Sequence, residues 1–174
     1  MTLHFHKQLS ESLSTIKFDI PSNNHKIFTV HDLEEERSHH NSDHIINKYG
    51  EVKWAVVDLL NTHYSKQLSK PFDLYHWLEF NDEDEVSYFL SETGSNALSY
   101  SQFKTPSNFQ VWLGEKGFVI GIEQKGKGFN AQDIHHQKIK ENEGAAFDFF
   151  RKAKNTIFFD NSINARIIYI EHLL

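Results

Sequence analysis

The stretch Phe109-Gln-Val-Trp-Leu113, Gly114-Glu-Lys-Gly117, Phe118-Val-Ile-Gly-Ile122 decides the fold class. Two short runs of apolar and β-branched residues flank a four-residue turn that opens and closes on glycine. That is the pattern of a β-hairpin. Directly after it comes Gln124-Lys-Gly-Lys-Gly-Phe129, a loop punctuated by Gly126 and Gly128. Downstream, Asp133 to Glu143 is polar and of helical character. Gly144-Ala-Ala-Phe147 leads into a helix over Asp148 to Lys154 with Phe147 and Phe150 on one side. Asn155 to Phe159, the turn Asp160-Asn-Ser162, and Arg166 to Glu171 predict a second hairpin.

Upstream, Glu51 to Leu68 carries Trp54, Val57, Leu60 and Tyr64 at spacings of three and four, with Ala55, Val56 and Leu59 broadening the face. This predicts a helix packed on a core, opened after Gly50 and ended by Pro71. His31 to Tyr49 reads as a solvated helix, interrupted near Asn41-Ser42. Phe72 to Phe80 is aromatic and apolar. Val86 to Leu90 suits either a strand or a short helix, and Glu92 to Ser107, with Gly94 and Pro106, reads as a loop or covering segment. Ser14 to Ile20 alternates Ile16, Phe18 and Ile20 with polar neighbours, which predicts a strand stopped by Pro21. Asn23-Asn-His25 is a turn, and Lys26 to Val30 is apolar and ambiguous. Strands and helices are partly segregated. The expected class is α+β, a two-layer sandwich of about five strands in a mixed sheet with helices on one face. One domain over 1–174 is expected, with 1–13 as an N-terminal extension.

Composition narrows the function classes. The chain has 174 residues and no cysteine, so thiol catalysis and cysteine-based zinc sites are excluded. A net charge of −6 weighs against nucleic acid as a partner. Apolar runs are too short for a membrane helix, and Met1 to Ser14 is too polar for a signal peptide. A cytoplasmic location without membrane partners is the expectation.

The second half resembles the ATP-binding domain shared by histidine kinases, gyrase-type ATPases, Hsp90 and bacterial anti-sigma-factor kinases. Phe118 to Phe129 resembles the strand and glycine box of the form D-x-G-x-G-F. Glu143-Gly-Ala-Ala-Phe147 and the helix after it resemble the second glycine segment, and Asn155 to Tyr169 the closing hairpin. Ala55-Val-Val-Asp-Leu-Leu-Asn61 resembles the helical N box in its anti-sigma-kinase form. The resemblance spans residues 14–174.

What the resemblance implies is specific. A mixed sheet covered by helices would bind ATP or ADP with Mg²⁺. Gln124, Gly126, Gly128, Phe129 and Gly144 would line the nucleotide, with Gln124 in place of the acid that accepts from the adenine amino group. The family sets a Glu, the base that activates water, four residues before an Asn that binds Mg²⁺. Asp58 takes the role of base and Asn61 that of metal ligand, yet Asn61 is three residues on and Thr62 holds the fourth position. Hydrolysis is therefore expected to be slow or absent. A regulatory role through a protein partner follows, a sigma factor or an anti-anti-sigma-like regulator, with a homodimer left open. The alternatives are an active Mg-ATP-dependent serine kinase or ATPase, and an interaction module without nucleotide. Read from the residues alone, Gln124 to Phe129 is equally a solvated hairpin-to-helix loop, and Asp58 to Asn61 an exposed helix face.

Two further constellations stand in the sequence. His40 and His44 stand at i, i+4, a spacing that binds zinc when a third ligand arrives from elsewhere; exposed histidines on a polar helix are the plainer reading. Asn81 to Glu85 is acidic but lacks the spaced oxygen ligands of a calcium loop.

Overall fold

The computed structural model describes residues 3–30, 42–68, 84–100, 103–141 and 144–174. The elements run β1 (Leu3–His4), α1 (Leu9–Thr15), β2 (His25–Val30), α2 (Ser42–His63), α3 (Glu85–Tyr100), β3 (Phe103–Leu113), β4 (Gly117–Lys125), α4 (Ala131–Glu141), α5 (Ala145–Lys152), β5 (Thr156–Phe159) and β6 (Ile167–Leu173). The class is α+β. Six strands form one mixed sheet in the order β1-β5-β6-β4-β3-β2, with β1 parallel to β5 and the other pairings antiparallel.

The two predicted hairpins are present. In the first, Leu113 faces Phe118, Val111 faces Ile120 and Phe109 faces Ile122. Strand alternation sends these residues, with Ile157, Phe159 and Ile170, to one face. There they form the main core with α2, α3 and α5. From α2 come Val56, Val57 and Leu60, all fully buried, and Tyr64 follows at the helix end. The Tyr64 hydroxyl lies 2.8 Å from the Gly114 carbonyl and 2.9 Å from that of Gly117, fastening the helix end to the hairpin turn. From α3 come Val86, Phe89, Leu90, Thr93 and Ala97, spaced as one helical face. Asp84 caps that helix, its Oδ1 accepting from Val86 N and Ser87 N. Glu85 reaches across to accept from Lys154 N, Asn155 N and Asn155 Nδ2 at 2.7–3.0 Å. These bonds hold the start of α3 against the α5–β5 junction.

Four expectations need correction. Ser14 to Ile20 is not a strand: Leu9, Leu13 and Ile16 follow a helical spacing, and α1 occupies Leu9–Thr15. Residues set apart as an extension thus supply β1 and α1. Nor do the helices keep to one face. Ile16, Leu9 and Leu13 pack on Trp112, Val119, Phe158 and Tyr169, which point away from the main core, and Lys7 pairs at 3.3 Å with the buried Glu171 on that same side. Gly50 does not open a helix, since α2 runs through it from Ser42 to His63. Finally, Glu92 to Tyr100 is not a loop but the second half of α3. His31 to Asn41, Pro71, Phe72 to Phe80 and Asn81 to Glu83 lie outside the described residues.

Candidate functional site

The C-terminal end of β4 and the start of β6 are adjacent, joined by Gln124 N donating to Arg166 O at 2.9 Å. After Gln124 the chain turns. Gly126 takes φ 96°, which favours glycine. At Gly128 a Cβ would press on the Asn164 backbone, 2.6 Å away. The loop is closed by Gln124 Nε2 donating to Lys127 O at 2.9 Å and by paired backbone bonds between Phe129 and Ala165. Asn130 then starts α4, its Oδ1 accepting from Asp133 N. Asp160 Oδ1 accepts from Arg166 N and Ile167 N, fixing the facing turn.

Between this loop and α3 lies a cavity of about 670 Å³, bounded also by α4, α5 and β6. Its floor is apolar, with Ala97, Ile122, Phe147, Phe150 and Ile168. Its polar lining is Glu92, Thr93, Asn96, Gln124, Lys127, Lys138 and Arg166. Among the described residues, three cations against one carboxylate reverse the sign of the chain's net charge of −6. Such a cavity suits a ligand with an anionic part and a flat apolar part.

Of the residues singled out in the sequence, Gln124, Gly128, Phe129 and Gly144 line this cavity. Gly126 shapes the loop without lining it. Gly144, at φ 91°, opens α5. Asp58 and Asn61 are elsewhere: Asp58 is exposed on α2 and neither lines the cavity. The reason is topological. Helix α2 lies over β2 and β3, whereas the loop after β4 faces α3.

The sequence reading missed Glu92 and Asn96. They stand four apart on α3, so both project the same way, and both line the cavity. Asn96 Nδ2 lies 3.4 Å from Glu92 Oε1, a long contact. Their spacing is legible in Glu92-Thr-Gly-Ser-Asn96, but the glycine, an ordinary loop signal, hides it. Arg166 was also missed as a cavity residue, being a single cation at a strand start.

A buried imidazole stands behind the cavity wall. His135, on α4 beside Ile134, is 6% exposed. Its ring packs against Phe5 and Phe147, and neither nitrogen has a hydrogen-bond partner among the described residues. Burial, then Arg151 and His136, hold its pKa below the usual histidine value.

His39 and His40 lie outside the described residues, and among the described residues no group of three or more His, Asp or Glu is placed to hold a metal ion. No described helix is long and apolar enough to cross a membrane. No protein-family model, curated protein or solved structure matches the chain.

Proposed function

We propose that the cavity is a Mg²⁺-nucleotide site of the histidine-kinase-like ATPase type, in a regulatory protein of the anti-sigma-kinase kind. The observation that carries this is the Glu92–Asn96 pair on α3, facing the Gln124–Phe129 loop across the cavity. The resemblance asks for a Glu four residues before an Asn, and that spacing is met here rather than at Asp58 and Asn61. Carboxylate and amide oxygens are the hard donors that Mg²⁺ prefers. Asn96 Oδ1 would hold the ion, and Glu92 would take the proton of an attacking water or hydroxyl. Lys127 and Lys138 are suited to phosphate oxygens as point charges, and the apolar floor to a base. The slow hydrolysis expected from Asp58 and Asn61 loses its ground with this pair, which favours turnover.

The test is a titration with nucleoside triphosphates, with and without Mg²⁺, followed by steady-state hydrolysis. Binding in the micromolar range is expected. In Asn96→Ala the Mg²⁺ dependence should vanish, and in Glu92→Gln turnover should fall about 10²–10⁴-fold with binding kept. Absence of binding by every nucleotide in the wild type would overturn the proposal.

A second reading is a protein-partner regulator whose cavity is catalytically idle. It is favoured by Gln124, which brings no carboxylate to the loop and spends its amide N–H on Lys127 O. Under it, Glu92→Gln would leave partner binding and hydrolysis alike unchanged.

A further inference from the structure

Within the proposed nucleotide site, on which this inference rests, the chemistry of one wall is unusual. The β4–β6 register pairs Glu123 with Ile167. One step further, Gln124 and Arg166 face each other, joined through Gln124 N and Arg166 O. Residues directly opposite on neighbouring strands put their side chains on the same face, with Cβ atoms about 5 Å apart. Glu123 points to the opposite face, where Asn108 and Gln110 donate to its carboxylate. Gln124 and Arg166 therefore stand side by side on the cavity face, and both line it.

Their hydrogen-bonding capacity is fixed by their surroundings. The Gln124 amide nitrogen is tied to Lys127 O. That bond uses one of its two N–H groups, and a ligand meets Oε1, the acceptor of the side chain, with the second N–H beside it. Arg166 carries only donors, in a planar fork. Its own backbone N–H is taken by Asp160, and no ion pair or hydrogen bond of its guanidinium is found among the described residues. The pair thus presents one acceptor beside two parallel donors. Among the described residues no carboxylate lies on this part of the lining; the one they place in the cavity, Glu92, is on α3.

A purine can be matched to this pattern. A 6-oxopurine shows a donor, N1–H, next to two acceptors, O6 and N7. The guanidinium fork pairs with O6 and N7, as arginine does with guanine in other settings, and Gln124 Oε1 accepts from N1–H. Adenine shows an acceptor, a donor and an acceptor in sequence. Its amino group can satisfy Gln124 but then turns a donor toward the arginine, and one N–H of the fork is left without a partner. A donor turned toward a donor is a mismatch, and such mismatches are where discrimination arises.

We propose that Gln124 and Arg166 make the cavity selective for 6-oxopurine nucleotides over adenine nucleotides. Arg166 is the specificity-determining residue. Gln124 both holds the loop and supplies the acceptor.

The experiment compares GTP, ITP and ATP, each with Mg²⁺, on the wild type, Arg166→Ala and Arg166→Lys. ITP keeps O6, N7 and N1–H but lacks the exocyclic amine. The expected result is that GTP and ITP bind about tenfold more tightly than ATP. The preference should disappear in Arg166→Ala, and also in Arg166→Lys, which keeps the charge but not the fork. Equal or tighter binding of ATP by the wild type would overturn the inference while leaving the nucleotide site standing. So would an equal loss for all three ligands in Arg166→Ala, which would assign the guanidinium to phosphate. Binding of none of them would overturn the nucleotide site and this inference together.

Discussion

Replacing Gly94 by alanine sets two effects of opposite sign against each other. Gly94 sits inside α3, between Glu92 and Asn96. By helix propensity alone, alanine there should stabilise by about 0.8–1.0 kcal/mol. The packing says otherwise. A Cβ at Gly94 would overlap the ring of Tyr49. That ring is 3% exposed, tilts against Phe109 at 5.5 Å and carries Lys53 Nζ 4.5 Å from its centroid. Its hydroxyl donates to the Leu90 carbonyl. Phe109 and Lys53 flank the ring, so α2 and α3 must separate or the hydroxyl must leave its partner. Overpacking costs about 1–3 kcal/mol, and loss of a buried hydrogen bond about 1–2 kcal/mol more. The net is a destabilisation of about 1–4 kcal/mol, or a Tm lowered by roughly 2–16 °C in a chain of this size. Urea unfolding followed by circular dichroism measures it. In a Tyr49→Ala background the same substitution should be neutral or stabilising, which isolates the contact as a coupling term. If Gly94→Ala is as stable as the wild type with Tyr49 in place, the close contact between α2 and α3 is refuted.

Other outcomes follow from the same geometry. His135→Phe should be at least as stable as the wild type at pH 7.5, because it removes two buried nitrogens without partners. The folded-state pKa of His135 is depressed, so the unfolded chain binds its proton first, and stability falls as pH drops below about 6.5. The variant's urea midpoint should change less over that window; an identical slope would argue against a buried neutral imidazole. Tyr64→Phe, which removes the hydroxyl that bridges α2 to the hairpin turn, should cost about 1–2 kcal/mol in denaturant unfolding. Glu85→Ala leaves Lys154 N and Asn155 N without their carboxylate and should cost about 1–2 kcal/mol. Faster amide exchange at those two residues is the diagnostic signal.

The parts of this fold legible in the sequence are those set by local rules. Phe109, Val111 and Leu113 alternate with Gln110 and Trp112, and glycines mark the turn, so the hairpin can be read from neighbours alone. The closing hairpin is readable for the same reason. Residues 9–20 are harder, because Ile16 belongs to two patterns: with Leu9 and Leu13 it makes a helical face, with Phe18 and Ile20 a strand. The helix prevails because that face finds Trp112, Val119, Phe158 and Tyr169 to cover. Helix α3 was misread because glycine, serine and threonine within it signal a loop. Gly94 is there to admit a tyrosine from a different helix, which no window of neighbouring residues can reveal. The loop half of the candidate site was legible from its glycines. The other half, Glu92 and Asn96, depended on recognising α3.

The pairing of β1 with β5 joins Leu3 to Ile157 and His4 to Phe158, segments more than 150 residues apart. During synthesis the first strand leaves the ribosome long before its partner exists. It must stay uncommitted until the closing hairpin has formed, which makes this pairing a late and entropically costly event. Until then β5 is an open sheet edge bearing Ile157, Phe158 and Phe159, the apolar kind of edge that recruits strands from other molecules. Two residues of β1 therefore act as a guard against self-association. Their loss would show in the yield of soluble protein at high concentration before it showed in the unfolding midpoint.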